Sequence, residues 1–277
     1  MELTQKILND AGPAGFRINS GDVYIMEDLV FRHGVGNAIS NDAVGGSIRI
    51  FGQGHRLINL PGGGPWNETM AEGVNILASQ VYIDNLNVGV GSELGKFRVG
   101  IRLGTYQDAL GNPLYATTPG NHFLSQLQVS AWYYGIQTMG ANCTYIQVYV
   151  GDTGGGALQA KPIGIDHWGA GAKINNCYIH NMIKGAQDLE TMHMHLGDAH
   201  DGSIGSITLA NDVSNPLSFG IWFNSTNSFN GSDMVLQNIE TCFSGDLAAG
   251  RLDGVMSGCK TKSTLPLGPI VHLVNRK

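Results

Sequence analysis

Charge is scarce in this chain. Lys, Arg, Asp and Glu make up 14% of its 277 residues, against ~25% in an ordinary globular domain. The balance is acidic, with 16 basic and 22 acidic side chains giving a net charge of −6. No basic run is present, so the electrostatic footprint of a nucleic-acid binder is missing and no nucleic-acid partner is expected. No stretch approaches 18 consecutive apolar residues, and no membrane span is expected. Residues 1–10 lack the apolar core of a Sec signal, which implies another export route or removal of an upstream segment. The four cysteines, Cys143, Cys177, Cys242 and Cys259, form no Cys-x-x-Cys pair and read as free, buried thiols. Also absent are a Gly-x-Ser-x-Gly elbow, an Asp-rich calcium loop and a true phosphate loop, since Gly89–Phe97 carries Val90 where the spacing requires Gly and Phe97 where it requires Ser or Thr.

Glycine is what abounds, at 40 residues, about twice the usual ~7%. Many turns and few charges point away from helices. Apart from residues 2–10, where Leu3, Ile7 and Leu8 have helical spacing before Gly12-Pro13, the apolar period is two. The pairs Val23/Ile25 and Ile48/Ile50 and the series Phe97/Val99/Ile101/Leu103 read as short strands.

A six-residue pattern recurs: apolar, two small or polar residues, apolar, any residue, then β-branched or apolar. It reads Met26-Glu-Asp-Leu29-Val-Phe31, Ile83-Asp-Asn-Leu86-Asn-Val88, Leu124-Ser-Gln-Leu127-Gln-Val129 and Ile174-Asn-Asn-Cys177-Tyr-Ile179. Three more copies are Ile204-Gly-Ser-Ile207-Thr-Leu209, Leu236-Gln-Asn-Ile239-Glu-Thr241 and Met256-Ser-Gly-Cys259-Lys-Thr261. Two apolar residues three apart cannot share one face of a straight strand. A bend between them can bring both inward, and Asn and Gly tolerate the left-handed conformation that a bend needs. Repeated bends of one sense would coil the chain and stack its strands in parallel. The anchors fall 20 to 57 residues apart, as expected for a solenoid turn of constant core and variable loops.

On these residues, from about Phe16 to Thr261, the chain resembles the right-handed parallel β-helix of the pectate-lyase-like superfamily. Within it the chain looks most like the receptor-binding β-helix of phage tailspikes. The resemblance implies an all-β, single-stranded parallel β-helix over residues 16–277, with a short N-terminal helix or capping segment over 1–15 and a last rung or cap after 262. It further implies a homotrimer on a virion tail, or a secreted or cell-surface protein, that binds and often cleaves bacterial polysaccharide without a cofactor.

Two stretches suit a glycan. Trp132-Tyr133-Tyr134 and Asp166-His167-Trp168 put aromatic faces and a carboxylate between rungs, with Trp66 and Trp222 elsewhere. The densest ionisable cluster runs from Asp188 to Gly202 and contains Glu190, His193, His195, Asp198, His200 and Asp201. Strict alternation over Met192–Leu196 would send Met192, Met194 and Leu196 inward, and His193 and His195 outward. Asp166, Glu190 and Asp201 are the candidate acid and base of a glycoside hydrolase, whose carboxyl groups stand ~5 to 9.5 Å apart. Trp132, Tyr133, Tyr134, His167, Trp168, His193 and His195 are the candidate sugar contacts. A metal site is the weaker reading of His-x-His, because the spacing matches no closed ligand set. A solvated or trimer-facing histidine ladder is the structural reading, under which the chain is a non-catalytic β-helical adhesin or tail structural protein. A lyase or epimerase would need a base and a neutralising cation, for which Arg98, Arg102, Lys161, Lys173 and Lys184 look dispersed.

Overall fold

The computed structural model describes residues 1–43, 46–60, 71–90, 95–107, 113–115, 120–154, 161–182 and 190–275. Trp66, Lys184 and Asp188 lie outside them. The chain is the expected parallel β-helix: among the described residues nearly all strands join one parallel ladder system, and a single antiparallel pair, Thr105–Gln107 with Pro113–Tyr115, stands apart.

Each turn of the coil has three faces. Face A stacks Gly21–Ile25, Ser47–Phe51, Gln80–Asp84, Phe123–Ser125, Thr144–Ile146, Lys173–Asn175 and Gly202–Ile204. Face B stacks Leu29–Phe31, Arg56–Asn59, Asn87–Val88, Gln128–Val129, Tyr149–Gly151 and Cys177–His180. Face C stacks Asn37–Asn41, Glu72–Ile76, Phe97–Leu103, Ala131–Met139, Ile163–Trp168 and Thr191–Gly197. Beyond these, Ile207–Ser257 is one extended run that winds through further rungs.

Register explains the core. Leu29, Leu57, Val88, Val129, Val150, Ile179 and Leu209 are successive partners on face B. Ile39, Val74, Ile101, Ile136, Ile165, Met194 and Ile221 are partners on face C. All are buried, so each rung covers its neighbours' side chains and the hydrophobic gain accumulates along the axis.

The repeated pattern marks the corners. Asn85, Gln126, Asn176, Asn238 and Gly258 hold the second bend position with φ of 53°, 52°, 52°, 55° and 64°, the left-handed conformation that the pattern predicts. Asp28 and Ser206 turn the same corner without it. Gln147, at φ 54°, marks a copy that the polar-pair criterion misses, Tyr145-Ile-Gln-Val148-Tyr-Val150. Asn238 and Gly258, stacked on one another, belong to a different corner. Asn238 Nδ2 donates to the carbonyl of Asn211 at 2.8 Å, and Asn211 Nδ2 donates back to the carbonyl of Asn238 at 3.3 Å. Asn211 ends a face B segment, so the Leu236 copy turns from B to C rather than from A to B.

The N-terminal segment caps the coil. Glu2–Leu3 extends face A by pairing with Tyr24 and Ile25, and the helix Gln5–Ala11 buries Leu8. The Gln5 amide accepts from the N–H of Val30 at 2.5 Å and donates to its carbonyl at 2.9 Å. That side chain thereby stands in for the strand missing beside the first face B strand, which would otherwise be an open edge. Cys143, Cys177 and Cys242 are buried free thiols and Cys259 is a half-buried one.

Candidate functional site

Face C carries a backbone irregularity that shapes its outer surface. Ile101, Ile136 and Ile165 face the core, so alternation should turn the preceding Gly100, Gly135 and Gly164 outward. Instead a Cβ on any of them would overlap the face B core, meeting Val129, Val150 and Ile179 respectively. Two consecutive positions therefore face inward. Each strand is bent there, and the residues on either side, three apart in sequence, converge on the outer surface. Glu72 and Asn75 hydrogen-bond at 2.7 Å, and the Phe219 and Trp222 rings lie 4.9 Å apart. The outer side of face C is thus bent into two converging rows, the candidate groove, in which Glu72, Asn75, Val99, Arg102, Ile163, Asp166 and Met192 are already buried.

Its two walls differ in chemistry. One consists of the register partners Glu72, Val99, Tyr134, Ile163, Met192 and Phe219 and is largely apolar from Val99 onward. The other consists of Asn75, Arg102, Gln137, Asp166, His195 and Trp222, one per rung. Asp166, 3% exposed, accepts from Gln137 Nε2 at 2.8 Å and is met by His195 Nδ1 at 2.7 Å. Arg102 donates to Glu72 Oε1 at 2.7 Å. Burial pushes the Glu72 carboxyl up against the opposing pull of Arg102 and Arg98. Burial, with Asp166 nearby, raises the Tyr134 phenol as well.

Aromatic groups frame the groove. The Trp168 indole lies across Gly197 on the next rung, where a Cβ would overlap it, and sits edge-on to His195 at 5.1 Å. Between Phe97↔Ala131 and Val99↔Tyr134 the register shifts, a bulge of the kind that re-aims side chains. The bulge presents Trp132 to the Lys96 ammonium at 4.8 Å and Tyr133 to the Arg98 guanidinium at 5.6 Å.

Of the candidate residues, Asp166, His195, Trp168, Tyr134, Tyr133 and Trp132 thus share face C. His193 and His167 do not face outward. His193 takes the position that glycine holds on neighbouring rungs, is fully buried, and approaches the carbonyls of Phe219 and Ala210 at 3.0 and 3.1 Å. The bend explains the correction, because it inverts the alternation that placed His193 outside and Met192 inside.

His167 is equally buried. Its Nε2 approaches the Gly169 carbonyl at 2.9 Å, and its Nδ1 lies 2.9 Å from the Thr138 hydroxyl and 3.0 Å from that of Tyr145. Since a carbonyl only accepts, Nε2 carries the proton and Nδ1 accepts from a hydroxyl. Burial lowers His167 to about 4, and nearby His122 likewise to about 4. His167 is thus fully hydrogen-bonded inside the core, whereas the buried Nδ1 of His122 has no partner.

The three carboxylates are not brought together. Glu190 precedes its strand and pairs with Lys161, five residues and ~16 Å of extended chain before the Asp166–His195 rung. Asp201 lies beyond the other end of that strand, at a corner with φ 56°, where it accepts from Ser228 Oγ at 2.7 Å. His200 bonds Asp198 at 2.7 Å and accepts from the N–H of Asn227 at 3.1 Å, so this end of the ionisable cluster holds a turn. Sequence reasoning also missed Glu72, Gln137, Arg98 and Arg102 as companions of Asp166. All lie on strands other than that of Asp166, and only the inter-rung register aligns them.

No family model and no curated protein matches this chain. Among solved structures, it is similar to PfbA, a surface adhesin of Streptococcus pneumoniae, at 14% identity and a TM-score of 0.42, covering 95% of this chain and 62% of that one. The chain therefore spans less than two thirds of that neighbour, and the functional reading rests on the groove itself.

Proposed function

We propose that this protein binds a bacterial surface polysaccharide, a capsule or O-antigen chain, along the outer groove of face C. The observation that carries the reading is the pairing, rung after rung, of an apolar wall with a polar wall, framed by Trp168, Trp222 and the bulged Trp132-Tyr133. Sugars present apolar ring faces and hydroxyl edges, and a concave site with both characters matches them. The tailspike-like sequence pattern extends the proposal to a homotrimer displayed on a virion tail or a cell surface.

Depolymerisation is the second reading, and the Asp166–His195 pair favours it: a carboxylate that orients an imidazole is a serviceable general base. It suits proton abstraction by a lyase better than hydrolysis, which needs a second carboxyl within ~5 to 9.5 Å that neither Glu190 nor Asp201 provides. Immobilised capsule and O-antigen polysaccharides separate the readings. Binding that Trp222→Ala abolishes and Asp201→Asn leaves intact supports the groove. Release of reducing ends or of unsaturated uronate adds cleavage, and no binding to any glycan sinks the proposal.

A further inference from the structure

We propose that the glycan in this groove is of mixed charge, with a carboxylate-bearing sugar at the Arg98–Arg102 rung and an amino sugar two rungs on, at Asp166–His195. The inference rests on the glycan-binding reading above and adds which sugars are bound and in which direction.

Charge is segregated along the groove. Arg98 and Arg102 belong to strand Phe97–Leu103, and Lys96 adjoins it over Trp132. Glu72 pairs with Arg102, and Arg98, whose guanidinium stands over the Tyr133 ring, makes this the cationic rung on a protein of net charge −6. Along the polar wall, Arg102 is followed by Gln137 and then by Asp166. Asp166 is paired with an imidazole and has no lysine or arginine partner among the described residues. The two poles are two rungs apart, ~9.6 Å at ~4.8 Å per strand, which matches the span of a disaccharide.

On the cationic rung and on the rungs to either side of it, buried hydrogen-bonding groups lack partners. Arg102 Nε, Gln137 Oε1 and Asn75 Oδ1 have none, although Arg102 is 7% and Asn75 0% exposed. The amide orientations are fixed: Gln137 must offer its NH2 to Asp166 Oδ2 and Asn75 its NH2 to Glu72 Oε2, because a carboxylate only accepts. Two carbonyl oxygens thus lack donors and one guanidinium N–H lacks an acceptor, on three successive rungs. Buried groups of this kind call for partners. A carboxylate for the arginine and N–H or O–H donors for the two carbonyls are what an alternating uronate–amino sugar chain supplies.

The test uses the full chain and matched pairs of acidic glycans, heparosan and hyaluronan, each before and after de-N-acetylation, with capsule and O-antigen polysaccharides as the wider panel. The expected result is about tenfold tighter binding of a free-amine form than of its acetylated parent. Arg98→Gln is expected to weaken both forms, whereas Asp166→Asn erases the difference between them. Arg98 is outside the core, so its variant keeps the test valid if Asp166→Asn unfolds in a melting curve. Equal binding of the two forms in both pairs, or binding confined to neutral glycans, overturns the mixed-charge inference alone. Absence of binding across the whole panel overturns the glycan reading with it.

Discussion

Gly197 shows how one residue prepares the groove. Its missing side chain lets the Trp168 indole lie across the backbone of the next rung, and Gly197→Ala is expected to lift that indole and weaken glycan binding while leaving thermal stability nearly unchanged. A Trp168→Ala control that loses binding when Gly197→Ala does not would refute the assignment. Gly164 is the opposite case: a Cβ there would lie 2.6 Å from the Ile179 side chain and from the His193 carbonyl, so Gly164→Ala should cost ~2–3 kcal/mol of stability by overpacking, read as a lowered urea midpoint. The buried imidazoles add a pH dependence. Since folding depresses His122 and His167 from 6.5 to about 4, the unfolded chain takes up the protons first. Their contribution is complete above pH ~6.5 and is lost as pH falls toward ~4, by at most about 3 kcal/mol for each ring. Urea melts of the native chain and of His167→Gln at pH 7.5 and 5.0 check this, and equal pH slopes in the two proteins would refute it.

At the scale of the element, the corners were legible and the groove was not. Asn85, Gln126 and Asn176 announce a bend in the sequence because the left-handed conformation selects for Asn, Gly and a few polar residues. Asn176→Ala should accordingly lose ~1 kcal/mol and Asn176→Gly very little, as thermal melts would show. The Tyr145 copy escaped notice because Ile146 breaks the polar pair while Gln147 alone makes the turn. His193 was misplaced for a deeper reason: the bend in face C changes which residues share a side, and Gly100, Gly135 and Gly164 mark it by what they omit. Asp166 was found from its neighbours His167 and Trp168, yet its working partners Gln137 and His195 lie 29 residues away on either side. Spacing within a single strand carries no trace of such contacts.

For the whole molecule, the coil sets the geometry and the loops remain free to vary. Face A anchors Leu124 and Tyr145 are 21 residues apart, while Ile83 and Leu124 are 41 apart, and both intervals deliver one strand to each face. Native mass spectrometry at micromolar protein should report three copies of the chain; a monomer would remove the trimer from the proposal without touching the groove.

The bend in face C has a consequence for how recognition could change over time. Because backbone curvature creates the groove, its floor is inherited by every rung, whatever side chains stand on its two walls. A residue on a wall can be exchanged without redesigning the bent backbone beneath it. Such a coil works as a track with replaceable sleepers, on which preference can be altered one rung at a time.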